Sequence, residues 1–171
     1  MSENDPPLLE SRTVQVRPAK PSELDRLATL WYDGWQDAHA GLLPAELAAV
    51  RTWESFRARL EAALADLRVA GEREAPLGFY LLKGDELYQF YVAAAARGTG
   101  VAGSLIADAE RRLATSGVQV AWLACAIGNA RAARFYEKHG WRLAGNVTLP
   151  HEVPSGVLQL EVWRYEKALA R

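Results

Sequence analysis

Cysteine occurs once in these 171 residues, at Cys125, and histidine three times, as His39, His139 and His151. A lone cysteine excludes an internal disulfide and any paired-cysteine metal motif. Three histidines so far apart offer no ligand spacing, so no metal is expected. Neither sign of charge dominates, since 20 basic and 21 acidic side chains leave a formal net charge of -1. The chain therefore lacks the basic footprint of a nucleic-acid binder, and no nucleic acid is expected as a partner. No apolar run approaches the ~20 residues of a membrane-spanning helix. Residues 1–12 are polar, contain Pro6-Pro7 and have no apolar stretch of the kind a secretory signal carries. They read as a disordered leader before a single domain, 13–171, and the expected setting is the cytoplasm, with no membrane partner.

What is present has the composition of a globular domain with a sizeable core, half of it hydrophobic. Thr13 to Arg17 alternates and reads as a strand. Pro18 and Pro21 break it, and Leu24, Leu27, Leu30, Trp31 and Trp35 then recur at helical spacing as far as Asp37 or His39. A second, broken helix is expected from Ala45 to about Ala65. Three short strands follow, Leu67–Glu72, Leu77–Leu82 and Glu86–Val92, with turns at Arg73–Pro76 and Gly84-Asp85, so they should form an antiparallel meander. Gly100 to Ala114 carries one apolar stripe and ends at Gly117. Val118–Ala126 reads as a strand buried on both faces, and Asn129 to about His139 as a helix stopped by Gly140. Trp141–Leu149 and Val157–Tyr165 are the last strands, joined by a loop containing Pro150 and Pro154. The order is β-α-α-β-β-β-α-β-α-β-β, an α/β (α+β) mixed sheet with helices on both faces.

Arg97-Gly98-Thr99-Gly100-Val101-Ala102-Gly103 lies between a strand and a helix. Its glycines let the backbone approach a ligand, the helix start offers unpaired N–H groups, and Arg97 adds a charge, so a diphosphate suits it. The glycines also match GxGxxG. However, the preceding strand belongs to a meander, and no acidic residue ends Val118–Ala126 to hold a ribose, which argues against a dinucleotide fold.

Arg97-Gly98-Thr99-Gly100-Val101-Ala102 after Val92 resembles the acyl-CoA-binding signature Q/R-x-x-G-x-G/A of the GCN5-related N-acetyltransferase family. Asn129 to Trp141 is similar to that family's N-x-x-A-x-x-F-Y-x-x-x-G-F/W region, and one helix and one strand separate the two. The resemblance implies a GNAT-like acyl-CoA N-acyltransferase fold and acetyl-CoA as cosubstrate, with a small-molecule primary amine as acceptor. The alternatives are a protein or peptide acceptor, or a CoA-binding module without turnover. It also implies that Glu86–Val92 splays from Val118–Ala126 to admit pantetheine. Tyr91 and Val92 would then border the cofactor, the Val92 N–H would meet the thioester carbonyl, and Gly98 to Gly103 (with Thr99, Gly100, Val101 and Ala102) would hold the pyrophosphate.

In the same resemblance Asn129 holds the pantetheine arm and Tyr136 protonates the leaving thiolate. Arg134, with its neighbours Arg131 and Lys138 on the last long helix, is placed to meet the 3′-phosphate, a solvated face being the default reading. Asn129 is also a natural helix N-cap, and Tyr136 could simply pack on the sheet. Glu86 stands six residues before Val92, at the family's position for a glutamate base, and strict alternation puts 86, 88, 90 and 92 on one face. Ordered water and a solvated turn glutamate are the alternatives there. Trp31, Trp35 and His39 share a helix face, with Asp33 and Asp37 on another. Trp35 and His39 are the expected acceptor contacts, an aromatic wall which, with a carboxylate, would suit a cationic amine. His151 and Glu152 would lie in the loop above. Cys125, in an apolar strand, reads as a buried thiol, which favours direct transfer from CoA to amine. Exposed sheet edges suit pairing into a homodimer.

Overall fold

The computed structural model describes residues 14–39 and 41–170, so the expected leader lies outside the described residues. In chain order the elements are β1 (Val16–Pro18), α1 (Leu24–His39), α2 (Ala45–Val50), α3 (Trp53–Ala62), β2 (Arg68–Glu72), β3 (Ala75–Lys83) and β4 (Glu86–Val92). They are followed by α4 (Val101–Thr115), β5 (Val120–Ala126), α5 (Ala130–Lys138), β6 (Arg142–Val153) and β7 (Gly156–Ala168). The seven strands form one mixed sheet in the order β1-β2-β3-β4-β5-β7-β6. Helices cover both faces. Leu27, Trp31, Leu47, Phe56 and Leu60 of α1 to α3 pack on Val69, Phe79 and Leu81. Leu105, Ile106, Ala109 and Leu113 of α4, with Ala133 and Tyr136 of α5, pack on Tyr80, Ala121, Leu123 and Tyr165.

One strand pair differs from the rest. β4 and β5 run parallel and register at a single pair, Glu86 with Trp122, fastened by the Trp122 N–H donating to Asp85 O (3.2 Å). Beyond it, among the described residues, no further pairing joins them, so the sheet opens into a cleft toward the C-terminal end of β4. Tyr88 adds a bulge: Leu81 faces Gln89 and Leu82 faces Leu87, which leaves Tyr88 without a partner. The bulge overturns the strict alternation expected for this strand. Glu86, Tyr88 and Tyr91 face the α1–α3 side, while Leu87, Phe90 and Val92 face the α4–α5 side.

The broken helix expected over 45–65 is two helices, parted at Arg51-Thr52, where the Thr52 hydroxyl caps α3 by accepting the Ser55 N–H (3.1 Å). Two other expectations are corrected. The proline-bounded loop after Leu149 is absent: β6 and β7 continue to Val153 and Gly156 and turn at Pro154-Ser155, so His151 and Glu152 are strand residues. Pro150 is tolerated because β6 is an edge strand, with one side that needs no donor. β5 buries its Ala121, Leu123 and Cys125 face throughout, while on the other face Trp122 and Ala124 are half-buried beside a cavity and only Ala126 is buried.

The chain's entry into α1 is held by a buried ion pair. The Glu23 carboxylate has no exposed surface and accepts from both terminal nitrogens of Arg17 (2.9 and 2.6 Å) and from the Lys20 N–H (2.8 Å). Arg17 also donates to Gly71 O, which ties β1 to β2. Burial pushes the Glu23 pKa up, but the Arg17 hydrogen bonds, the Lys20 N–H and the nearby positive charge prevail and hold it below the ordinary value. A carboxylate with a lowered folded pKa contributes stability above its unfolded pKa and loses it as pH falls through the folded one. Glu23→Gln is expected to cost about 2 kcal/mol at pH 7, since it leaves Arg17 uncompensated. Urea denaturation at pH 7 and again below pH 4 should show the gap between wild type and variant closing. An equal gap at both pH values would remove Glu23 as its source.

Candidate active site

Two cavities meet at the open end of the β4–β5 pair. The first, ≈ 340 Å³, is a groove on the α4–α5 side bordered by Phe90, Val92, Arg97, Gly98, Ala102, Cys125, Asn129, Phe135 and Tyr136. The second, ≈ 380 Å³, lies under α1 to α3 and the β6–β7 hairpin. Both are lined by His39, Tyr88, Gln89, Tyr91, Ala124 and Ala126, so the cleft joins them.

The groove has free main-chain groups along one wall. Ala93 N–H donates to Leu77 O (2.8 Å) across the Gly78–Val92 pair. In an antiparallel ladder that makes Val92 a residue whose own N–H and C=O point away from β3, and Phe90, two residues back, shares the arrangement. Both therefore face the cleft. Tyr91 lies between them with its backbone turned to β3, while its ring stacks on Phe79 (5.9 Å). At the far end of the groove, Gly98 (φ 76°) and Gly100 (φ 89°) hold left-handed conformations that only glycine adopts cheaply. The first turn of α4, through Val101, Ala102 and Gly103, thus opens beside the groove with its N–H groups unspent. Thr99 bonds its hydroxyl to Ala96 O, and the Val101 side chain is buried in the core.

Tyr136 is buried, its ring within 6.3 Å of those of Phe90, Phe135, Trp141 and Tyr165. Among the described residues its hydroxyl has no protein partner, and the residue lines the groove. Burial pushes its pKa up, so the phenol stays protonated. Asn129 caps α5, its Oδ1 accepting the Ala132 N–H (3.3 Å), and also borders the groove. Cys125 is a buried thiol whose pKa burial raises to about 11, so it is protonated and a poor nucleophile.

Arg97 does not stand free beside the glycine turn. It bonds to Asp37 of α1 (2.6 Å), which Arg131 also reaches (2.9 Å), so one carboxylate and two guanidiniums bridge the mouth of the groove. Arg134 and Lys138 lie outside the groove lining.

In the second cavity Trp35 packs against His39 (5.1 Å) and Phe56 (6.4 Å). Burial lowers the His39 pKa to about 4, so its imidazole is neutral. Glu86 lines this cavity, half-buried, and burial raises its pKa while Lys83 pulls it back. Neither Asp33 nor Asp37 reaches it, so the carboxylate expected beside the tryptophans is supplied by Glu86 alone. Motif spacing pointed to none of Phe90, Arg51 and Arg59, and it placed His151 in a loop over the acceptor. They converge only once strand splay, helix break and hairpin are in place.

The profile of the acetyltransferase (GNAT) family matches residues 27–141. The chain belongs to that family. Among solved structures it is similar to a GCN5-related N-acetyltransferase from Rhodopseudomonas palustris, at 22% identity over 91% of this chain and 96% of that one, with a TM-score of 0.71. It is also similar to PaiA N-acetyltransferase from Thermoplasma acidophilum in complex with coenzyme A (17% identity, 91% and 98% covered, TM-score 0.64). A third is a phosphinothricin acetyltransferase from Sinorhizobium meliloti in complex with acetyl-CoA (15%, 92% and 89%, 0.67). At such identities these likenesses establish the fold. A search of curated proteins finds no relative that matches the chain.

Proposed function

We propose that the chain moves an acetyl group from acetyl-CoA directly to a primary amine of a small molecule. The observation that carries this is the partnerless Tyr136 hydroxyl, in a groove whose wall offers the Phe90 and Val92 main-chain groups and whose far end opens at the first turn of α4. That groove fits the cosubstrate: a diphosphate at the N–H groups of Gly98 to Gly103, an extended amide arm along β4 with Asn129 opposite, and the thioester at the cleft. The acceptor approaches from the second cavity as an ammonium, gives one proton to Glu86, and its freed nitrogen attacks the thioester carbonyl carbon. The C–S bond then breaks, the sulfur takes a proton from Tyr136, and the amide nitrogen sheds its second proton, which restores the phenol. Cleft N–H groups, that of Val92 among them, stabilise the oxyanion. A second cavity of ≈ 380 Å³, lined by α1, α2, α3 and the β6–β7 hairpin, favours a small acceptor over a peptide.

Melting temperature measured with acetyl-CoA, CoA, NADH and ATP separately tests the first half. Binding at a hundredfold excess over Kd adds about 2.7 kcal/mol, roughly 5–10 °C for a domain of this size. A rise with acetyl-CoA and CoA alone is expected, followed by thiol release with an amine. A rise with NADH alone would make the glycine pattern a dinucleotide site. A CoA shift without turnover of any amine would leave a binding module.

A further inference from the structure

The second cavity has more positive charge than its partners neutralise. Arg51, at the break between α2 and α3, is half-buried there, its Nη2 3.3 Å from His151 Nδ1 of β6. Arg59 of α3 lies over the Trp31 ring (Cζ to centroid 4.5 Å) and donates to the Tyr88 hydroxyl (2.9 Å). Among the described residues neither guanidinium meets a carboxylate, although the surface arginines 57, 97, 111 and 131 all do. Lys83 adds a third cation, and among the described residues Glu86 is the one carboxylate lining the cavity. Burial lowers the Arg51 pKa, as does repulsion from Arg59, and burial, with both arginines, lowers that of His151.

Two guanidiniums lining the same half-buried cavity, each with planar donors to spare, are costly unless an anion completes them. Arg59 is fixed by Trp31 and Tyr88, so its fork is preorganised. We propose that this cavity takes an acceptor bearing an anionic group, carboxylate or phosphate, seated between Arg51 and Arg59, with the amine directed to the cleft. The proposal rests on the acetyl-transfer reading and narrows it: the acceptor is a compact amino acid or amine phosphate, not the plain cationic amine that an aromatic wall with a carboxylate suggested.

Matched pairs test it. The full chain, saturated with CoA, is titrated with aliphatic amino acids against their carboxamides, and with phosphoethanolamine against ethanolamine, following the emission of the cavity's tryptophans. Thiol release from acetyl-CoA is measured with the same compounds. In at least one pair the acid is expected to bind about 30-fold more tightly than its neutral partner. Which arm responds separates carboxylate from phosphate. Arg51→Gln should weaken that acid about tenfold or more and its neutral partner little, with Arg51→Lys recovering part of the loss. An unchanged Kd for CoA checks that the variants fold. Neutral partners binding equally well, no binding by any acid, or Arg51→Gln weakening both partners alike would each overturn the anion site. Turnover without preference for the acid would leave acetyl transfer standing and remove this proposal. Acid binding without thiol release would do the reverse.

Discussion

Replacing Tyr136 with phenylalanine is expected to cut kcat by about 10²–10³-fold and leave the Kd for CoA almost unchanged. The substitution removes one oxygen and keeps a ring packed between Phe90, Phe135, Trp141 and Tyr165. No protein hydrogen bond of that hydroxyl exists among the described residues, so the variant should melt within a degree or two of wild type. Whatever rate is lost therefore belongs to the reaction. A protonated phenol is suited to the leaving group: burial keeps its proton on through the working range, and a thiolate expelled into this groove meets a donor at once. Because the hydroxyl acts as the C–S bond breaks, kcat and kcat/KM should fall together. A variant that turns over at the wild-type rate would assign the proton to solvent and Tyr136 to packing.

The sequence carries this site unevenly, for a physical reason. Gly98, Gly100 and Asn129 announce themselves because each does its work within a few residues of chain: a left-handed turn, a helix start, a cap. The same holds for the β2–β3–β4 meander and for α4, where periodicity is local. Tyr88 is different. Its bulge exists because β4 sets the seven residues Glu86–Val92 against the six of Gly78–Lys83, and no alternation rule for a single strand contains that. Pro150 and Pro154 read as loop because the edge position that excuses Pro150 is a property of the whole sheet. Arg51 and Arg59 look like solvated helix charges until β4 and the β6–β7 hairpin, up to 100 residues away along the chain, close over them. Arg97 reads as a phosphate ligand in sequence, and its partner Asp37 lies 60 residues earlier.

Glu86→Gln is expected to reduce kcat/KM at pH 7 by about 10³-fold, and the shape of the pH profile decides why. Three side chains lining the cavity could take a proton, His39, His151 and Glu86, and His151 is engaged with Arg51. His39, with its pKa drawn down to about 4, is unprotonated but weakly basic, and its charge changes well below the working range. Glu86 is ionisable in the same space, and burial raises its pKa, so its carboxylate is more basic than an exposed one. As a base it must be ionised, so wild-type activity should fall as pH drops through that raised pKa and hold above it. The glutamine variant cannot show that acid limb. Its rate should instead climb with pH as the acceptor amine deprotonates in solution, so the gap to wild type narrows toward the amine's pKa. Stability moves the other way: ionising a half-buried carboxylate opposes folding above its unfolded pKa, so the variant should be no less stable than wild type at pH 7. If the variant stays within a few-fold of wild type and keeps the same acid limb, the proton leaves through water and Glu86 is a bystander on the cavity wall.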